Sequence, residues 1–272
     1  MPTFTPEQED FRAAIRDFCA REVATSGAHD ALTSADGPFD RALYAKLAEL
    51  GWLGVSIDER YGGSGGGMVD ACIFLEETSR GNAPMGPYGT TLIVAGAYQR
   101  FGSEEQKEAM LGGIAQGAVE AIAMSEPGAG SDVGALTCRA RREDGHYVVD
   151  GQKTWISNAH LAEHTLLIAR TDAGAGKHDG LTMLEVPRDT EGMEVRPIDT
   201  MGGREVNDVF FAGARVPAEN VVGVEGRAWM QLMAGLNVER LIIAAQHLGM
   251  AERAFDDLLA YLALWALMPR EP

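Results

Sequence analysis

The sequence predicts a multidomain α+β fold: an N-terminal helical domain, a central antiparallel β-barrel or sandwich, and the start of a C-terminal helical bundle. Three observations carry this expectation. Apolar residues recur at helical spacing from the N-terminus to near residue 117. Near Val119 the texture changes to β-rich runs broken by Asp-Gly dipeptides. From Glu225 the pattern returns to helix, with no proline before Pro269. The expected domains are residues 1–118, 119–223 and 224–272, the middle one of ordinary domain size.

The helical part opens on a start signal. Thr5 can cap, Pro6 sits in the first turn, and Gln8 can reach back to the cap. Phe11, Ile15, Phe18 and Val23 then form one stripe. Leu43, Leu47 and Leu50 form a second, closed by Gly51. "RYGGSGGG" (60–67) reads as a flexible loop, because no Lys-Ser/Thr follows to make it a phosphate loop. Helices fit 68–80 and 87–100, and another starts at Ser103 with Glu104 and Glu105 in its first turn.

In the middle part, Asp144-Gly145 and Asp150-Gly151 are both read as turns between strands. Further strands are expected at 165–170, 180–186 and 205–216. The last helix runs for about forty residues, or about 60 Å at 1.5 Å per residue. A helix that long and that apolar requires partners on several sides.

Composition narrows the function. The 272 residues carry 23 Lys and Arg against 40 Asp and Glu, a net charge of −17, which argues against nucleic acid. Cys19, Cys72 and Cys138 are odd in number and far apart, so no disulfide framework is expected and a reducing, cytoplasmic setting fits. The six histidines show no metal-ligand spacing; His160 and His164 read as a surface pair, and no metal site is assigned. "MPTFTPEQED" lacks a signal-peptide pattern, and no apolar run approaches the length of a membrane span.

Two stretches carry chemistry. "AMSEPGAGSD" (123–132) follows the first expected strand. Its glycines are not spaced as a Rossmann fingerprint, but its tight turn offers backbone N–H groups and small hydroxyls to a flat heterocycle or an anionic tail. "QKTWIS" (152–157) ends another strand and supplies Trp155 and Ser157, two apart and so expected on one side. Taken singly, Met124 reads as core filler, Ser125 and Ser131 as turn residues, and Trp155 as a packed aromatic. Glu126 and Asp132 read as structural acids that accept the N–H groups of the loop.

Together these stretches resemble the acyl-CoA dehydrogenase family of flavoproteins. "AMSEPGAGSD" and "GQKTWISNA" are similar to its signature and flavin-contacting strand. "FGSEEQKEAMLGGIAQG", "RVPAENVVGVEGRAW" and "GLNVERLIIAAQHLGMAERAFD" are also similar to family segments, all five standing in family order, so the resemblance runs to about residue 261. It implies a helical, a β- and a helical domain, with FAD as cofactor. It further implies an acyl-CoA substrate and an electron-transfer flavoprotein as electron acceptor. Carried over residue by residue, Met124 and Ser125 contact the flavin pyrimidine edge, and Trp155 lies against the isoalloxazine with Ile156 beside it. Ser157 directs its hydroxyl toward flavin N5. Ser131 binds the CoA-bearing tail, while Asn237 and Arg240 line the thioester end, Asn237 standing where Asp is commoner. In such a site, hydrogen bonds to the thioester carbonyl make the α-proton removable by a carboxylate.

The resemblance also implies a catalytic Glu late in the last helical domain, where this sequence reads "ALWALMPREP". The chain is therefore expected to be C-terminally truncated, by about a hundred residues, a domain's worth. In relatives such as isovaleryl-CoA dehydrogenase the base lies on the long helix, and the matching residue here is Glu239. Leu232, Leu236, Glu239 and Ile243 share one helical stripe, and apolar company suits a general base. Two other functions stay open: a non-catalytic or partner-dependent subunit of a hetero-oligomer, and a same-fold flavin monooxygenase or oxidase. The family implies a homotetramer, and an exposed apolar helix favours a homo- or hetero-oligomer over a monomer. Acyl chain length and branching are not fixed by the sequence.

Overall fold

The computed structural model describes residues 4–23, 37 and 39–267. It has a helical N-terminal part, a mixed β-sheet and one long C-terminal helix.

Helix α1 (Pro6–Phe18) begins as the sequence dictates: the Thr5 hydroxyl accepts from Gln8 N–H, and the Gln8 side chain accepts from Thr5 N–H. It buries Ile15 and Phe18 and runs into a π-turn, Cys19–Val23. Helix α2 (Arg41–Glu49) is capped by the Asp40 carboxylate and buries Leu43 and Leu47. Leu50, expected in the same stripe, is instead the exposed C-cap. Helices α3 (Met68–Arg80), α4 (Tyr88–Phe101) and α5 (Glu104–Ala115) follow, the last with a Ser103–Gln106 capping box. The glycine run before α3 is a packed turn, not an open cradle. A Cβ on Gly63 would lie 2.1 Å from the Ile57 carbonyl oxygen.

Eight strands form the sheet: β1 (Glu120–Ala123), β2 (Arg139–Glu143), β3 (His146–Ser157), β4 (His164–Arg170), β5 (Leu181–Pro187), β6 (Met193–Thr200), β7 (Gly203–Pro217) and β8 (Val221–Val222). Their order is β6-β7-β3-β2-β4-β5-β8, with β1 beside β4. The barrel is not closed, and the sheet is not purely antiparallel, because β1 runs parallel to β4. β2 and β4 meet at a single pair, Arg139 with Arg170, which joins the two halves of the sheet.

Asp144-Gly145 makes the β2–β3 turn, both residues left-handed at φ 46° and 76°. Asp150-Gly151 is not a turn. It lies inside β3, where the register with β7 slips after Val149. The Asp150 carboxylate accepts from Gly213 N–H, and Gly151 passes so close to Cys138 that a Cβ would lie 2.7 Å from its Cα. Strand β6 was not expected, because it alternates weakly and contains Pro197; it pairs only with β7, at an edge where proline is tolerated.

One core joins α1–α4 to the sheet through Leu47, Phe74, Tyr88, Ala121, Leu167 and Val186. A second joins α4 and α5 to β4, β5 and the start of α6. Helix α6 (Ala228–Leu267) spans 40 residues without a break. Ile242, Ala245 and Gly249 are buried on it, and a Cβ on Gly249 would stand 2.0 Å from the Glu76 carbonyl oxygen of α3. Arg80 of α3 fastens the next turns, at 2.7 Å from Asp256 and 3.4 Å from Glu252. Beyond that crossing Phe255, Leu258, Leu259, Leu262 and Leu264 are exposed. Among the described residues no helix is long and apolar enough to cross a membrane.

Candidate functional site

The loop leaving β1 and the end of β3 lie side by side. Thr154 N–H donates to the Ser125 carbonyl at 2.9 Å. At this junction β3 carries a second bulge, where Lys153 pairs with Val209 but Ile156 pairs with Asn207. Trp155 takes the extra residue's place, left-handed at φ 60°. That conformation costs an aromatic residue about 1–3 kcal/mol, and such strain gathers at functional sites. The indole is 60% exposed, so core packing does not offset the cost. The bulge interrupts the alternation at Lys153 and Thr154, which are both buried, whereas Trp155, Ile156 and Ser157 run exposed, buried and half-buried in turn. Ile156 is buried, while Met124, Ser125 and Ser157 are half-buried. Among the described residues none hydrogen-bonds the Ser125 or Ser157 hydroxyl.

A buried ion pair underlies the loop. Lys153 Nζ donates to the Met124 carbonyl at 2.9 Å and to Glu126 Oε1 at 2.8 Å. Glu126 also accepts from Thr137 N–H, Thr137 Oγ1 and Cys138 N–H. Burial works to raise the Glu126 carboxyl, but the Lys153 charge and these donors hold it below its ordinary value. Burial draws the Lys153 ammonium down. Burial likewise pushes the Cys138 thiol up to about 11, which makes it unreactive. Asp132 does not cap the loop as expected; it pairs with Lys177 at 2.6 Å.

Behind the loop lies an apolar cavity of about 210 Å³ between α4, the β1 exit and α6. Its walls include Met124, Ser131, Leu236 and Glu239, so it unites residues from two separate motifs. Arg100 and Gln231 also reach it; no motif had singled them out. Glu239 is half-buried beside Leu232 and Leu236, whereas Ile243, the fourth member of the expected stripe, is exposed. Asn237 and Arg240 do not line the cavity. Both are exposed, and the Arg240 guanidinium donates to Asn237 Oδ1 at 3.0 Å. At the rim His178 stacks on Trp229, with ring centroids 4.0 Å apart.

Sequence reasoning missed Lys153. A lysine inside an apolar, aromatic strand run was the available signal, but its partner is 27 residues away. His160 and His164 are not a surface pair. His164 Nδ1 lies 3.3 Å from the buried Glu120 carboxylate, while His160 Nδ1 lies 3.1 Å from Asn207 Nδ2. The Glu120 hydrogen bond raises the His164 pKa against the opposing effect of burial.

The exposed indole of Trp155 thus stands beside the β1-exit loop, and that loop's Met124 and Ser131 wall an apolar cavity that Ser125, Trp155, Ile156 and Ser157 do not line. The acyl-CoA dehydrogenase N-terminal domain matches residues 5–118, and the acyl-CoA dehydrogenase middle domain matches residues 121–213. The chain belongs to the acyl-CoA dehydrogenase family, which is a family of flavoprotein oxidoreductases. It is 35% identical over 252 residues to the acyl-CoA dehydrogenase FadE26 of Mycobacterium tuberculosis, covering 89% of this chain and 62% of that protein. It is 34% identical to the mitochondrial isovaleryl-CoA dehydrogenase of Solanum tuberosum, covering 95% and 64%. Its fold superposes on an acyl-CoA dehydrogenase from Geobacillus kaustophilus with a TM-score of 0.87 at 33% identity, covering 93% and 67%. The chain spans somewhat under two thirds of the length of these two curated relatives, 62% and 64%.

Proposed function

We propose that the chain carries the cofactor- and acyl-binding part of an FAD-dependent dehydrogenase, which desaturates an acyl-CoA thioester between its α- and β-carbons. Electrons then pass to an electron-transfer flavoprotein. The observation that supports this most is the bond between Thr154 N–H and the Ser125 carbonyl. It joins the two stretches that the flavin reading requires to be neighbours. The donor set fits a flat ring with a polar edge. A strained indole stands exposed, two hydroxyls are unengaged among the described residues, and a Cβ on Gly128 or Gly130 would meet nothing within 4 Å. Bound FAD would supply the two-electron acceptor.

Each residue then has a task. Met124 and Ser125 offer their peptide groups and a hydroxyl to the pyrimidine edge. With FAD bound, Trp155 would cover a ring face with Ile156 beside it, and Ser157 would offer its hydroxyl to the ring's N5. The cavity wall of Leu232 and Leu236 receives the acyl chain and excludes water. Glu239, in that wall, takes the α-proton. Ser131 holds the CoA-bearing tail at the rim. Arg240 and Asn237 exchange their mutual bond for the outer thioester end. Domain boundaries at 118/119 and 223/224 and a cytoplasmic location belong to the same proposal, the latter on its three free cysteines.

A second reading has its own support: the exposed apolar half of α6 suits a subunit whose site is completed by another chain. The chain is also similar to the structure of the ChsE4–ChsE5 complex from Mycobacterium tuberculosis, at 34% identity and a TM-score of 0.76. Purified chain should be yellow, and its flavin should bleach anaerobically with an acyl-CoA, bleaching being lost in Glu239→Gln while FAD stays bound. Flavin without bleaching favours the partner-dependent subunit, and a chain that takes up no flavin contradicts both readings.

A further inference from the structure

The flavin reading leaves the buried Lys153–Glu126 ion pair without a task. Lys153 lies inside β3 with its side chain wholly buried, where a well-packed apolar residue is often no less stable. Its ammonium grips the Met124 carbonyl at 2.9 Å, and the next residue, Thr154, grips the Ser125 carbonyl at 2.9 Å. Two consecutive residues of β3 thus hold two consecutive carbonyls of the β1 exit. Glu126 closes the arrangement by tying the same ammonium to the start of β2, through Thr137 and Cys138. On the other side of the bulge Asn207 Nδ2 donates to the Ile156 carbonyl at 2.9 Å. Trp155 is the residue between the two fastenings, and it is the left-handed one.

We propose that Lys153, locked to Glu126, is a positioning residue that clamps the 124–125 peptide against the β3 bulge and holds Trp155 in its left-handed conformation. The clamp rests on the flavin reading for the identity of the ring it serves, but it is a property of this chain's own residues. An ion pair suits the task better than an apolar plug, because its hydrogen bonds fix distance and direction while methylenes let the loop slide. The ammonium also bonds the carbonyl of the peptide whose N–H belongs to Ser125. Polarising that peptide strengthens the donor assigned to the pyrimidine edge.

The test compares wild-type chain with Lys153→Met, Glu126→Gln and the double variant, first without cofactor. Native-state hydrogen exchange at the Thr154 amide should quicken about tenfold or more in each single variant, with β4 and β5 amides unchanged. FAD affinity, read by flavin fluorescence quenching, should fall about tenfold or more, and the double variant should be no worse than the worse single one. Unchanged Thr154 exchange in a folded Lys153→Met chain overturns the proposal. So does a loss of protection spread evenly over the sheet, which marks a merely structural role. Should Lys153→Met not fold, Glu126→Gln, which leaves the bond to Met124, carries the same comparison. If wild-type chain takes up no FAD, the flavin reading falls, and Thr154 exchange still decides the clamp.

Discussion

Trp155 sets the terms at the scale of single residues. An aromatic side chain held left-handed and 60% exposed costs stability without filling the core. Trp155→Gly should therefore raise the stability of the cofactor-free chain by about 1 kcal/mol in denaturant titration, while FAD binding weakens. Equal losses in both would mean that the indole serves packing. His164 gives a pH prediction. Its pKa lies above its ordinary value of 6.5 because of the Glu120 hydrogen bond. The stabilisation is therefore present below about pH 6.5 while Glu120, whose carboxyl burial pushes up, stays ionised, and it is lost as pH rises through the folded-state value of His164. Thermal melts of wild type and His164→Gln should differ most on the acid side and converge in alkali; a constant gap would contradict the pairing. Trp155 stood out in the sequence as a candidate, but its left-handed backbone was not legible, since a bulge depends on the register with β7. Lys153–Glu126 and His164–Glu120 were illegible for a related reason: each pair joins residues 27 and 44 apart through sheet topology.

Elements were easier to read than their faces. Helix α1 declared itself through its capping box, and α6 through forty residues without proline. Which face of α6 docks could not be read, because a helix apolar on most sides carries no contrast. Gly249 settles it by close approach to Glu76. Gly249→Ala should destabilise the chain by about 1–3 kcal/mol through forced separation of α3 and α6, measured by urea unfolding, with loss of the α6 contacts first. A silent substitution would mean that the helices do not cross there. In the sheet, Asp150-Gly151 looked like the turn at Asp144-Gly145 because dipeptide chemistry is the same for a turn and a bulge; only the partner strand distinguishes them.

For the whole molecule, the outer half of α6 matters most. Phe255, Leu258, Leu259 and Leu262 are exposed together, a patch that monomers seldom present. Sedimentation of the purified chain should show concentration-dependent association, reduced by Leu258→Glu with Leu262→Glu; a monomer at all concentrations would oppose the oligomer proposal. The three-part order was legible because periodicity changes twice along the chain, whereas the parallel β1–β4 pairing and the open barrel are products of long-range register. The most direct measurement is a titration of the full chain with FAD, followed by tryptophan fluorescence in wild type and Trp155→Phe. A ring clasped between the 124–131 turn and the indole gives saturable quenching at one FAD per chain, most of it lost in the variant. Absence of saturable binding, or quenching undiminished without the indole, would contradict the shared crevice.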